Sequence, residues 1–218
     1  ARSASIGSLH TQRPALALIL SIFRSRRIEC CPSAGCAYSP RMPDTVSRPF
    51  HIYLVRHANA AWPEPGCRDF DRRLDPRGRE EAAQLAEMMA DAGFHPGHVV
   101  CSPAARCRET LVILKSTLAA DAEIEFHQPL YSESHDAYLD AIARHAEGAT
   151  GSLMIVGHNP MMEETAGALR DKSATPLSEV LPRGFPTAAL LAVEHISAEE
   201  PATSGHGRLL ALLSPDDA

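Results

Sequence analysis

Two arginines and two histidines are the residues best suited to chemistry in this 218-residue chain, because each stands where an apolar run gives way to a polar turn. Arg56-His57 follows the run Phe50 to Val55. Arg106 lies four residues beyond Ser102, behind Val99 to Cys101, and His158 follows Leu153 to Val156. Arginine offers planar, bidentate donors matched to phosphate oxygens, and histidine titrates near neutral pH. Together they describe an anion pocket. Ser102-Pro103, read as a capping residue followed by proline at the first helical position, adds free N–H groups and the positive end of a helix dipole. Each motif alone has an ordinary explanation: a chance Arg-His pair, a solvated first-turn arginine, a Gly-His-Asn-Pro turn. Three of them at strand ends, about fifty residues apart, favour the pocket.

For these side chains to meet, several strands must end on one edge of a sheet, where open α/β sheets bind their ligands. The apolar and β-branched runs predict strands at 50–55, 99–101, 123–127, 153–156, 188–193 and 209–213. Between them, helical spacing of Ala82, Leu85, Ala86, Met89 and Ala90 predicts a helix from Gly78 that stops at Gly93. Further helices are expected from Ser102-Pro103 to about Ala119, over 134–147, and from Met161 to Leu169. The stretches 58–76, 171–187 and 197–207 read as loops. Alternating strands and helices with near-continuous apolar strands give the fold class: α/β, a three-layer sandwich with a mostly parallel central sheet and helices on both faces.

Composition agrees with one such domain. The chain is 44% hydrophobic and 22% charged, which excludes intrinsic disorder or a fibrous architecture for its bulk. A net charge of −6 argues against nucleic acid as a partner. The charge is uneven. Residues 1–41 carry +5 and residues 42–218 carry −11, so two kinds of sequence join near residue 41. Residues 1–47 are therefore expected to be a basic, poorly ordered N-terminal extension, and 48–218 the functional domain. The apolar run Pro14 to Phe23 is too short for a membrane span. The head reads as an upstream extension of the reading frame before Met42, ahead of a transit peptide or a secretory signal. Six scattered cysteines with no CxxC pair suggest neither a disulfide framework nor zinc, and a reduced, cytoplasmic protein is the default.

The combination Leu54-Val55-Arg56-His57-Ala58, Leu74-Asp75-Pro76-Arg77-Gly78, Ser102-Pro103-Ala104-Ala105-Arg106 with Thr110, and Val156-Gly157-His158-Asn159-Pro160 resembles the histidine phosphatase (phosphoglycerate mutase-like) superfamily. Arg-His-Ala and Ser-Pro-x-x-Arg are most similar to SixA-type phosphohistidine phosphatases, over roughly residues 50–193. The resemblance implies a metal-independent phosphatase with no cofactor. In it His57 is the nucleophile that forms a phosphohistidine, and Arg56, Arg106 and His158 hold the phosphoryl oxygens. The substrate it implies is a phosphorylated protein, phosphohistidine above all, or a small phosphorylated compound. The sequence does not set the oligomeric state.

Relatives that cleave phosphomonoesters place an acid after a strand to protonate the leaving group. Here Glu133 is the candidate general acid and Asp136 a weaker one, although Glu133 also reads as a first-turn helix residue. With no acid, a leaving group such as imidazole is favoured over an alkoxide. The alternatives are a broad-specificity phosphomonoesterase using Glu133 and a non-catalytic phosphate-binding module. In the loop after the nucleophile, Asp69, Asp71, Arg72 and Arg73 either gate the pocket or form a solvated charge run, with Arg72 a candidate substrate contact. Trp62 is expected to pack over the rim. His51, His95, His98, His127 and His135 read as structural or surface residues, and Met88-Met89 and Met161-Met162 as core.

Overall fold

Six strands make one sheet in the computed structural model, which describes residues 49–146, 151–195, 201–203 and 205–215. The expected extension at 1–47 lies outside the described residues. The strands are β1 (Phe50–Arg56), β2 (His98–Cys101), β3 (Glu123–Phe126), β4 (Ser152–Gly157), β5 (Leu190–His195) and β6 (Arg208–Leu213). Their order across the sheet is β3-β2-β4-β1-β5-β6. Neighbours from β3 to β1 pair in parallel, whereas β5 runs antiparallel to both β1 and β6. The helices are α1 (Pro76–Asp91), α2 (Ala105–Leu114), α3 (Pro129–Ser132), α4 (Asp136–Ala146), α5 (Met161–Leu169) and α6 (Leu177–Val180).

Alternation along β1 explains the three layers, since successive side chains of a strand point to opposite faces. Ile52 and Leu54 join Tyr138 and Ile142 of α4 and Met162 and Ala166 of α5 in one buried cluster. Tyr53 and Val55 join Leu85 and Met89 of α1 and Leu111 and Leu114 of α2 in another. A sheet covered on both faces needs apolar residues at every strand position, which is why β1, β4 and β5 lack a polar alternation. Met89 and Met162 are in the core, whereas Met88 and Met161 are only half-buried.

Register brings the chemistry to one edge. Arg56 pairs with Gly157, and Cys101 with Val156, so β1, β2 and β4 end level. The backbone N–H of His57 donates to the Gly157 carbonyl at 3.1 Å, and that of Ser102 to the Val156 carbonyl at 2.9 Å. Gly157 is required by packing: a Cβ there would stand 2.5 Å from the Tyr138 hydroxyl.

Three local expectations are corrected. Helix α2 begins at Ala105, with Ala104 as its N-cap and no side-chain cap bond, so Ser102 caps nothing; the helix ends at Leu114, with a 3-10 turn running to Thr117. The chain is still extended at Ala104 (φ −58°, ψ 142°), which leaves the buried Ser102 hydroxyl outside the helix. Trp62 is 90% exposed rather than packed on the rim. Helix α1 starts at Pro76, two residues before Gly78, because Asp75 caps it by accepting from the Gly78 N–H at 2.6 Å.

Gly78 joins this helix to the segment behind the first strand. Asp75 N–H donates to the Asn59 carbonyl at 3.3 Å, and Asn59 Nδ2 donates to Asp75 Oδ2 at 2.7 Å. A Cβ on Gly78 would meet the Asn59 carbonyl oxygen at 2.0 Å, which forces the backbone apart. Gly78→Ala is therefore expected to lower the unfolding free energy by about 1–3 kcal/mol, the usual cost of overpacking. Urea denaturation is the measurement, and an unchanged midpoint would contradict the contact.

Candidate active site

At the end of β1 the chain is held from both sides. Arg56 N–H donates to Ala189 and His57 N–H to Gly157, while the His57 carbonyl accepts from Ala188. His57 Nδ1 lies 2.8 Å from the Ala58 carbonyl oxygen, which can only accept. Nδ1 therefore carries the proton and Nε2 the lone pair. Arg106 Nε, a permanent donor, points at that Nε2 from 3.2 Å, consistent with the same tautomer. Ala58 is fixed in turn, because its N–H donates to the buried Thr110 hydroxyl at 3.1 Å and Thr110 donates to the Arg106 carbonyl at 2.8 Å. Thr110 thus locks the turn after β1 onto the helix that carries Arg106.

Arg106 sits on the first turn of α2 and is 7% exposed. Its Nη1 donates to the Asp69 carbonyl at 2.7 Å, and its Nη2 to Asp69 Oδ2 at 3.0 Å and His158 Nδ1 at 3.2 Å. His158, 5% exposed, is aimed by the residues behind it. Its N–H donates to the Tyr138 hydroxyl at 3.1 Å, which donates onward to the Leu130 carbonyl at 2.8 Å. Its Nε2 lies 2.8 Å from the Ser102 hydroxyl. The rings of His57 and His158 stand 5.3 Å apart. Arg56 donates through Nη1 to the Phe185 carbonyl, and its buried Nε has no partner among the described residues. An orphaned buried donor is costly unless a ligand accepts from it.

These groups line one cavity of about 290 Å³, with Arg56, His57, Arg72, Arg106, His158 and Thr187 on its wall. The structure therefore brings Arg56, His57, Arg106 and His158 together and places Arg72 beside them. Arg72 is held by Nε to the Ala61 carbonyl at 3.0 Å and by Nη1 to Asp69 Oδ1 at 2.9 Å. Glu133 is not brought there. It is exposed and borders a separate groove with His127, Pro129, Ala137 and Arg144, because α3 ends at Ser132 and turns it away. Asp136 is exposed, with the Ser134 hydroxyl donating to it at 2.9 Å. Neither carboxylate lines the cavity around His57.

Burial is the main electrostatic force on the two histidines. It lowers His57 to about 3, helped by the charges of His158, Arg106 and Arg56 and opposed by the hydrogen bond to Ala58. Burial likewise lowers His158 to about 4, with Arg106 and Arg56 acting the same way and Asp69 against. Both rings are neutral at physiological pH. Burial pushes the Asp69 carboxyl up, but hydrogen bonds and charges from Arg72 and Arg106 outweigh it and hold that carboxyl below its ordinary value.

Because both histidines titrate lower when folded than the ordinary 6.5, the unfolded chain binds more protons between that value and about 3. Their contribution to stability is whole above 6.5 and is lost as pH falls through that window. The denaturation midpoint is expected to be lower at pH 5 than at pH 7, with the difference reduced in His57→Gln. An equal pH response in both proteins would contradict the burial of a neutral ring.

Several site residues escaped the sequence. Ser102 resembled a helix cap, and Tyr138 carried only a core signal. Thr187, from the turn before β5, had none; its hydroxyl donates to the buried Glu81 at 3.2 Å. Asp69 had a weak signal as one charge of a run, and its pairing with Arg106 was invisible without the fold.

Known proteins resemble this chain in sequence and fold. The family model of the histidine phosphatase superfamily (branch 1) matches residues 52–131. An uncharacterized chloroplastic protein of Arabidopsis thaliana is 29% identical over 137 residues, 59% of this chain, which thereby spans 62% of that relative's length. An uncharacterized protein of Mycobacterium tuberculosis is 32% identical over 138 residues, 62% of this chain and 84% of its own length. Among solved structures, one from Agrobacterium tumefaciens, assigned as the phosphohistidine phosphatase SixA, superposes with a TM-score of 0.65 at 36% identity, covering 76% of this chain and 97% of that one. The chain belongs to the histidine phosphatase superfamily, is similar within it to the SixA type, and is by that membership a histidine-nucleophile phosphatase.

Proposed function

We propose that the chain hydrolyses a phosphoryl group through a covalent intermediate on His57. Nε2 forms a bond to phosphorus as the bond to the leaving group breaks, and water then attacks the phosphohistidine, releasing inorganic phosphate and restoring the lone pair. The observation that carries this reading is the His57 tautomer. Nδ1 is committed to the Ala58 carbonyl, so a neutral Nε2 faces the cavity beside Arg106. Phosphoryl transfer asks little of a protein beyond alignment and charge stabilisation. Arg56, Arg106 and His158 are assigned the phosphoryl oxygens and Arg72 a substrate contact at the cavity wall. The unpartnered Arg56 Nε supports its share of that role.

The substrate we favour is a phosphohistidine on a protein, with a small phosphorylated compound as the broader class. Among the described residues lining the cavity none is a carboxyl, and the nearby Asp69 is held ionised by Arg72 and Arg106. A site without a protonated acid suits a leaving imidazole, which is far less basic than an alkoxide. The assignment of the Agrobacterium relative points the same way.

Trapping and turnover test this reading together. Wild-type protein quenched during turnover should carry an acid-labile, base-stable phosphate, which a non-catalytic phosphate-binding module would lack. A phosphohistidine peptide should turn over faster than an alkyl phosphate. Glu133→Gln is expected to change either rate by less than about two-fold, as for a surface substitution remote from the reacting atoms. Fast alkyl phosphate turnover that collapses in Glu133→Gln would instead establish a phosphomonoesterase with Glu133 as its acid.

A further inference from the structure

Ser102 has a use that neither its turn nor its sequence position explains. It is fully buried, and its hydroxyl lies 2.8 Å from His158 Nε2 and 3.4 Å from the Ala104 N–H, which donates to it. On the other side of the imidazole, Nδ1 is 3.2 Å from Arg106 Nη2, which can only donate. Nδ1 must therefore hold a lone pair, and the ring proton sits on Nε2, where a hydroxyl oxygen is the good acceptor. The other neighbour of Nε2, Cys107 Sγ at 3.5 Å, accepts weakly. The ring is thus read from both ends, with Nε2 turned inward and Nδ1 toward Arg106 and the cavity.

Resting on the phosphatase reading above, we propose that Ser102 is a positioning residue that locks His158 as its Nε2–H tautomer, so that a proton taken from water when a phosphoryl group is seated lands on Nδ1, inside the cavity. The oxygens of a phosphoryl dianion only accept, so Nδ1 must carry a proton to touch one. That proton makes an imidazolium whose inner N–H still donates to Ser102. The charged groups facing His158 are Arg106 from α2, Arg56 from the end of β1 and Asp69 from the loop. Cys107, His57, Tyr131 and Tyr138 also pack against it. In the empty site burial and the arginines keep it neutral, and an arriving dianion opposes both arginines.

Nitrogen-15 spectra of the wild-type protein and of Ser102→Ala and Ser102→Thr test this, each with and without vanadate as the phosphoryl mimic. Wild type should show His158 protonated on Nε2 alone when empty and on both nitrogens with vanadate. Ser102→Ala should lose the Nε2–H preference, weaken vanadate binding about 10–100-fold, the range for partners that orient a functional histidine elsewhere, and shift the acid limb of binding. Ser102→Thr, which keeps the hydroxyl, should restore all three. An empty wild-type site with the proton on Nδ1, or a Ser102→Ala protein with wild-type spectra and binding, overturns the inference. Failure to trap phosphate on His57 would sink the catalytic reading while leaving these binding results to stand.

Discussion

His57→Ala is expected to abolish the trapped phosphate and to lower turnover of a phosphohistidine peptide by a factor on the order of 10⁴ to 10⁶, the scale seen when a covalent nucleophile is removed. The variant should fold. The side chain of His57 belongs to neither large apolar cluster, and its backbone contacts to Gly157 and Ala188 survive the truncation. What disappears is a lone pair held against an open cavity, because Nδ1 is committed to the Ala58 carbonyl and burial keeps the ring neutral down to about pH 3. A nucleophile in its reactive form at every physiological pH does not require a separate base to activate it. Turnover should therefore not fall along an acid limb at the ordinary histidine value of 6.5. Vanadate binding, which the proposed mechanism assigns to Arg56, Arg106 and His158, should persist in the variant. Retained phosphate on His57→Ala, with peptide mapping that moves it to another residue, would remove His57 from the nucleophile's role.

The sheet and its edge were legible because they follow from patterns one element long. Continuous apolar runs in β1 and β4 report a sheet covered on both faces, and polar residues at their ends report an open edge, so Arg56, His57 and His158 could be placed before any coordinates. Contacts between elements were not legible. Ser102 looked like a cap because serine before proline usually is one, yet the helix it was meant to cap starts at Ala105, and its hydroxyl serves a histidine from another strand. Glu133 stood at the right distance along the chain, but the four-residue α3 decides which way the following residue faces, and a shift of one position would turn it elsewhere. Asp69 illustrates the same limit. A charge run predicts a solvated surface, and half of this side chain is indeed exposed, but the other half is bound by the buried Arg106. Trp62 failed in the opposite sense, since a lone aromatic in a loop carries no pattern that distinguishes a packed rim from open solvent.

Arg106→Ala should cost on the order of 10²–10³ in kcat, about 2.7–4 kcal/mol of barrier by comparison with removal of one oxyanion donor elsewhere, and Arg106→Lys should recover little of it. The reason is the number of directions in which this one guanidinium acts. Nε reaches the His57 lone pair, Nη1 the Asp69 carbonyl, and Nη2 both Asp69 Oδ2 and His158 Nδ1. In the proposed mechanism a seated phosphoryl group displaces the contact to Nε2, so Arg106 would exchange a bond to the nucleophile for one to the group being attacked while Asp69 holds it. A lysine ammonium has comparable charge but no planar fork, and it cannot span these partners at once. If charge alone mattered, the lysine variant would return to within a few-fold of wild type, and the geometric part of the site's action would have to be assigned elsewhere. Stability separates the two effects. Asp69 is about half exposed and readily hydrated, so loss of its partner should change the urea midpoint only modestly while turnover collapses. A variant that loses both in parallel would show Arg106 to be holding the fold together rather than acting on the substrate.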